Sequence, residues 1–136
     1  MRRKRRRPGS KADSQATNAT SGRLVGWLVS YSEDDLGTAH EIRSGRTLIS
    51  SGRIGENRVI TVSDKSVSLP HSALRASQKH RITIQDIFSE SGTYLQKSED
   101  DSEVKLNEPT EIDHGDWVRF GAAERYQLCL IDNPKR

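Results

Sequence analysis

Apolar and polar residues alternate over short runs in this chain, and no segment keeps a 3.6-residue repeat through three turns. The clearest alternation is RITIQDI, which sets Ile82, Ile84 and Asp86 on one side of a strand and Thr83 and Gln85 on the other. Runs of the same kind, rich in β-branched and aromatic residues, are LVGWLVSY (24–31), TAHEIR (38–43), RTLIS (46–50), RVITVS (58–63), SALRAS (72–77), HRITIQDI (80–87), TYLQ (93–96), WVRFG (117–121) and RYQLCLI (125–131). Breaks fall at Gly52, Gly55, Pro70, Gly92, Pro109 and Gly115. Ser44-Gly45, between the second and third runs, predicts a tight hairpin. The polar stretch KSEDDSEVKLNEP (97–109) predicts an exposed loop with at most a short strand near Val104–Leu106. About ten short strands separated by regular turn signals predict an all-β antiparallel sandwich.

The first 22 residues break this pattern. They are nearly devoid of apolar side chains and carry seven Lys/Arg against one Asp, six of those cations in the run RRKRRR at residues 2–7. Such a segment cannot bury enough apolar surface to offset its chain entropy, so a disordered Arg-rich tail (1–22) is expected ahead of a single folded domain (23–133). The whole chain is +3, but residues 23–136 hold fifteen Lys/Arg and eighteen Asp/Glu. The basic character therefore belongs to the tail, and the acidic sum argues against a broad nucleic-acid surface on the folded part. The run 2–7 suits attraction to nucleic acid or an anionic surface, nuclear import, or simple solubility.

No apolar run approaches the ~18 residues of a membrane helix, and none follows the basic start as a secretory signal requires. The single cysteine, Cys129 in YQLCLI, reads as a small buried hydrophobe. One cysteine makes neither an internal disulfide nor a cysteine zinc cluster, and His40, His80 and His114 lack ligand spacing. No metal or cofactor is expected, and the compartment is read as cytoplasmic, or nuclear if the source is eukaryotic. Trp27 and Trp117 are read as sheet-packing residues.

Ser68 and His71, three apart around Pro70, raise the question of hydrolysis. A triad needs a third group to orient the histidine and an oxyanion hole, and no nucleophile-elbow sequence is present, so no enzyme is expected.

Four fragments stand in order: SGR (51–53), VSLPH (67–71), DIFSESGTYL (86–95) and IDHGDWVRFG (112–121). Together they resemble the forkhead-associated (FHA) domain, over roughly residues 24–132. The resemblance implies a SMAD-FHA-type sandwich of about eleven strands with binding loops at one end, and a phosphothreonine-dependent adaptor in Ser/Thr kinase signalling. It implies Arg53 and Ser68 as phosphate ligands, with Leu69, Glu90 and Ser91 beside the peptide. Gly52, His71, Gly92 and Thr93 would support the loops, and Asp86 would be a structural strand-end acid. The chemistry fits independently. Phosphothreonine carries about −1.5 to −2 charge with three acceptor oxygens, and arginine offers an always-charged fork of donors.

Three positions depart from the family pattern. Ser91 stands where an asparagine usually holds the peptide backbone, and its hydroxyl has less hydrogen-bonding capacity than an amide. Glu90 brings a carboxylate towards the phosphate. Leu69 replaces a residue that is often basic or amide-bearing. Two alternatives to the adaptor therefore stand: a phosphate-independent interaction or assembly module, and a tail-driven binder of nucleic acid or anionic surfaces. The resemblance also raises Thr17 and Thr20, downstream of the basic run, as phosphorylation sites through which the tail would occupy its own domain.

Overall fold

A computed structural model describes residues 22–31 and 36–132. The basic run 2–7, Thr17 and Thr20 lie outside them. Among the described residues eleven strands form: β1 (Leu24–Ser30), β2 (Thr38–Arg43), β3 (Gly45–Ser50), β4 (Val59–Thr61), β5 (Ser72–Ala76), β6 (Ile82–Asp86), β7 (Thr93–Gln96), β8 (Val104–Lys105), β9 (Thr110–Ile112), β10 (Trp117–Phe120) and β11 (Arg125–Leu130). One sheet has the order β9-β6-β5-β3-β4, and the other β2-β1-β11-β10-β7-β8.

The two-residue alternation sets the faces. On β5 and β6, Leu74, Ala76, Ile82 and Ile84 point inward and are buried. They meet Leu28, Val118, Phe120 and Leu128 of the opposite sheet in one core cluster. The outer faces carry Arg75, Thr83 and Gln85 on one side and Trp27, Trp117 and Arg119 on the other. Both tryptophans are half-buried, and the Arg125 guanidinium lies 4.0 Å from the Trp117 ring centroid.

Three expectations need correction. Ser44-Gly45 is not a hairpin: β2 pairs with β1 and β3 with β5, so the chain crosses between sheets there, with Gly45 at φ 104°. Strand β9, hidden in the polar stretch NEPTEID, pairs with β6 and buries Ile112 as its inward anchor. Within the antiparallel sandwich one edge pair runs parallel, β4 beside β3. Cys129 is half-buried and sits opposite Trp27 on the outer face, because Leu128 and Leu130 take the inward positions.

The buried polar residues explain how the loops are placed. Ser50, His71, Ser72 and Thr93 are all inaccessible to solvent. Ile49 pairs with Ser72, and Ser72 with Asp86, so the end of β3, the start of β5 and the end of β6 lie together at one end of the sandwich. Buried polar groups must be paired, and these pair with the loops that leave this end.

Candidate functional site: three loops gathered on Ser68

The β3–β4, β4–β5 and β6–β7 loops meet at Ser68. Its carbonyl accepts from the Ser51 amide at 3.1 Å, which ties in the loop carrying Gly52 and Arg53. Its hydroxyl oxygen accepts from the Glu90 amide at 3.1 Å, which ties in the third loop. Its own amide donates to His71 Nδ1 at 2.9 Å. A hydroxyl has one proton and two lone pairs, so Ser68 still has its O–H to donate.

His71 is fully buried and clamps two loops. Nδ1 accepts from Ser68, so Nε2 carries the proton and donates to the Gly92 carbonyl at 2.8 Å. These two partners define the neutral Nε2–H tautomer. The same Gly92 carbonyl accepts from the Gly121 amide at 2.9 Å. His71 packs edge-on against Phe120, with ring centroids 5.9 Å apart. It points into the sandwich. Pro70 follows Leu69 through a cis peptide bond.

Asp86 organises the third loop. Its carboxylate accepts from the Ser89 hydroxyl and amide and from the Thr93 hydroxyl at 2.6 Å. Thr93 spends its one proton there, so the Ser72 hydroxyl donates to Thr93 Oγ1 at 2.7 Å. Ser89 in turn accepts the Gly92 amide at 2.9 Å. Burial pushes the Asp86 pKa up, but the hydrogen bonds from Ser89 and Thr93 outweigh it and hold the group below its ordinary value. Gly92 closes the turn at φ 90°, and a β-carbon there would stand 2.9 Å from Lys105 Cε and 3.1 Å from the Tyr94 hydroxyl.

Arg53 is exposed and makes no hydrogen bond or ion pair among the described residues. Two large apolar side chains are also exposed on these loops, Leu69 at 59% and Phe88 at 99%, the latter with φ 52°. Glu90 is exposed and joins the site through its backbone amide, not its carboxylate. Ser91 is half-buried, and its carbonyl accepts from the Tyr94 hydroxyl at 3.1 Å. Tyr94 is itself backed by Arg119, whose guanidinium lies 4.3 Å from the ring centroid and pairs with Glu103 at 2.8 Å. The hydrogen bonds from Arg119 hold Glu103 below the usual carboxylate range.

The structure thus brings Gly52, Ser68, Leu69, His71, Glu90, Ser91, Gly92 and Thr93 to one end, with Arg53 on the adjoining loop. Sequence reasoning missed Ser51, Ser72, Ser89 and Tyr94. The Asp86-x-x-Ser89 spacing is a turn signal that points to Ser89; a hydroxyl on an inward strand position, as at Ser72, carries no comparable signal. The remaining histidines make contacts away from these loops. His80 is buried and donates from Nδ1 to the Ile131 carbonyl at 2.6 Å, His114 accepts from the Leu130 amide at 3.0 Å, and His40 packs against Tyr126. No cluster of metal-ligating side chains occurs among the described residues. Among them also, no helix is long and apolar enough to cross a membrane.

A sandwich whose end loops are pinned through a Ser-x-x-His pair and a Gly-Thr turn defines a class of binding module. The FHA domain family model matches residues 44–121, more than half of the chain, and the chain belongs to that family. FHA domains are protein-binding modules. Among solved structures the chain is similar to Mycobacterium tuberculosis EmbR in complex with a low-affinity phosphopeptide (TM-score 0.63, 16% identity, 93% of this chain and 30% of that one). It is similar too to the FHA domain of human APLF in complex with an XRCC1 bisphospho peptide (0.62, 20%, 79% and 99%). A third neighbour is the FHA domain of the CT664 protein from Chlamydia trachomatis (0.61, 19%, 77% and 96%). The chain spans only 30% of EmbR's length. No curated protein matches the sequence.

Proposed function

We propose that the protein is a phosphothreonine-dependent adaptor, with Arg53 and Ser68 as the phosphate ligands. The observation that carries this reading is the setting of Ser68. Three loops converge on it, its backbone and one hydroxyl lone pair are used internally, and its O–H is left to donate. The Ser51 amide bond ties the loop of the unpaired Arg53 to the same residue. A dianionic phosphate would take the serine proton and the arginine fork together. Charge-assisted hydrogen bonds contribute roughly 1.5–3 kcal/mol each. Two or three of them with flanking contacts reach the roughly −8 kcal/mol of a micromolar complex. His71, Gly92, Thr93 and Gly52 shape the loops without touching the ligand, and Leu69, Glu90 and Ser91 flank the peptide. The partner is a protein phosphorylated by a Ser/Thr kinase, met in the cytoplasm or, in a eukaryote, the nucleus.

Fluorescence anisotropy with a labelled phosphothreonine peptide pool tests this. Micromolar binding that is absent for the unphosphorylated pool is expected. Equal binding of both pools would instead support the second reading, a phosphate-independent module. The exposed Leu69 and Phe88 on the same loops favour that alternative, since they offer an apolar contact that needs no phosphate.

A further inference from the structure

We propose that the outer face of the five-stranded sheet, at the end opposite the three loops, is a second binding surface that takes the phosphodiester backbone of a nucleic acid without reading its sequence. The residues are Arg46, Arg75 and Arg81, with Arg23 and Lys79 at the rim. The β3–β5 register sets Arg46 directly opposite Arg75. The β5–β6 register sets Arg75 opposite Thr83, and Arg81 lies two residues before Thr83 on the same face. Side chains directly opposite across an antiparallel pair stand about 4.5–5.5 Å apart at Cβ, and diagonal ones about 7–8 Å.

All three arginines are exposed, and none forms an ion pair among the described residues. Arg46 reaches only Asn57 Oδ1, at 3.3 Å. Like charges directly opposite one another destabilise a sheet. This one retains them even though the folded part holds more acids than bases. Several acids are engaged elsewhere: Asp113 and Asp116 by Lys97, and Glu103 by Arg119. Glu111, opposite Thr83 on β9, is an acid on this face. It is three strands from Arg46 and two from Arg75, roughly 14 Å and 10 Å at about 4.8 Å per strand, and one strand from β6 beside Arg81. At physiological salt, where the Debye length is about 8 Å, its charge is largely screened from Arg46 and Arg75 and offsets Arg81 alone. The negative sum therefore does not govern the local field at Arg46 and Arg75.

The chain's own course adds to this. Arg23 donates to the Gln78 carbonyl in the β5–β6 turn at 3.5 Å, and its amide donates to Ser44 Oγ at 3.0 Å. The chain that follows the run 2–7 thus enters the domain at this same end. Arginine rather than lysine dominates, which suits bidentate phosphate contacts. Among the described residues the large exposed apolar side chains, Phe88, Leu69, Tyr31, Leu36 and Val104, all lie away from this patch, which therefore offers none of them to a lipid bilayer.

The test is anisotropy of the full chain with a labelled mixed-sequence 20-mer, single- and double-stranded, across a salt series, beside vesicles containing phosphatidylserine. Log affinity should fall linearly with log salt, and the triple variant Arg46→Ala, Arg75→Ala, Arg81→Ala should lower the duplex slope by about 2.7. That costs about 40-fold less affinity loss between 50 and 200 mM salt than in the native chain. Deleting residues 2–7 should reduce the slope separately, and Lys65→Ala, in the β4–β5 loop, should leave it unchanged. Arg75→Ala alone should melt no lower than the native protein, since it relieves the repulsion with Arg46. Binding lost with residues 2–7 but indifferent to the triple variant would overturn the proposal. So would binding to the vesicles and not to the 20-mer.

Discussion

The Glu90 amide donates to the Ser68 hydroxyl oxygen across 3.1 Å, joining residues on different loops. This bond assigns the two halves of Glu90 opposite roles. Its backbone amide takes an acceptor position on the serine oxygen and leaves the O–H to donate, while its exposed side chain carries a negative charge on the same loop.

Removing that charge should therefore improve binding without disturbing the scaffold. Glu90→Thr keeps the amide and is expected to tighten a phosphothreonine peptide about two- to five-fold at low salt, in line with exposed charge pairs of up to ~1 kcal/mol. The gain should shrink in 0.5 M salt as screening removes the repulsion. A salt-independent gain, or a loss, would show that the carboxylate does not face the phosphate.

Ser91→Asn is expected to tighten binding further, because an amide can both donate to and accept from a peptide backbone. Tyr94 holds the Ser91 carbonyl, so the gain should depend on that support. Combining Ser91→Asn with Tyr94→Phe in a double-mutant cycle should return a coupling of several tenths of a kcal/mol or more.

Ser68 and His71 should separate stability from binding. Ser68→Ala removes an outward hydroxyl and one acceptor, so its melting temperature should fall only slightly while phosphopeptide binding is lost. His71→Ala opens a cavity and strands the Ser68 amide and the Gly92 carbonyl, which should cost about 3 kcal/mol or more. For a domain of this size that is a fall of roughly 10 °C or more in thermal melting.

Acid should act through Asp86. Its pKa is lowered in the folded protein, so it contributes stability above its unfolded-state value, and that contribution is lost as pH falls through the lower folded-state value. Asp86→Asn should be less stable than the native protein at neutral pH, and the gap should narrow below the ordinary aspartate range. Glu103 also sits low but titrates alike in both proteins, so the difference between their melting curves from pH 7 to pH 3 isolates Asp86. A gap that stays constant would contradict the assignment.

Gly92→Ala should weaken both fold and binding. The residue sits at φ 90°, and its new β-carbon would crowd Tyr94 and Lys105. A loss of about 1–3 kcal/mol by chemical denaturation is expected.

Much of this was legible in the sequence because it is periodic. The Ile82-Ile84 alternation carries an inward face, and short runs between turn residues carry a sandwich. Strand β9 was not legible, since Thr110–Ile112 has one buried residue in acidic surroundings and is defined by its partner β6. Nor was the sheet crossing at Ser44-Gly45, because a turn dipeptide looks the same whether its strands pair or part. At the site, residue types drew attention to Ser68 and His71, which the structure joins by a hydrogen bond. The backbone use of Glu90 had no signal, since any non-proline residue has an amide. The placing of Arg46 opposite Arg75 depends on a register that links residues twenty-nine positions apart.

The measurement that bears most directly on the account is calorimetric titration of a phosphothreonine peptide pool into the native protein, Arg53→Ala and Ser68→Ala, each first shown to be folded. Heat of binding for the native protein, abolished in both variants, is the predicted result. Equal heat in all three, or binding that ignores the phosphate, would contradict the placing of the ligand on Arg53 and Ser68.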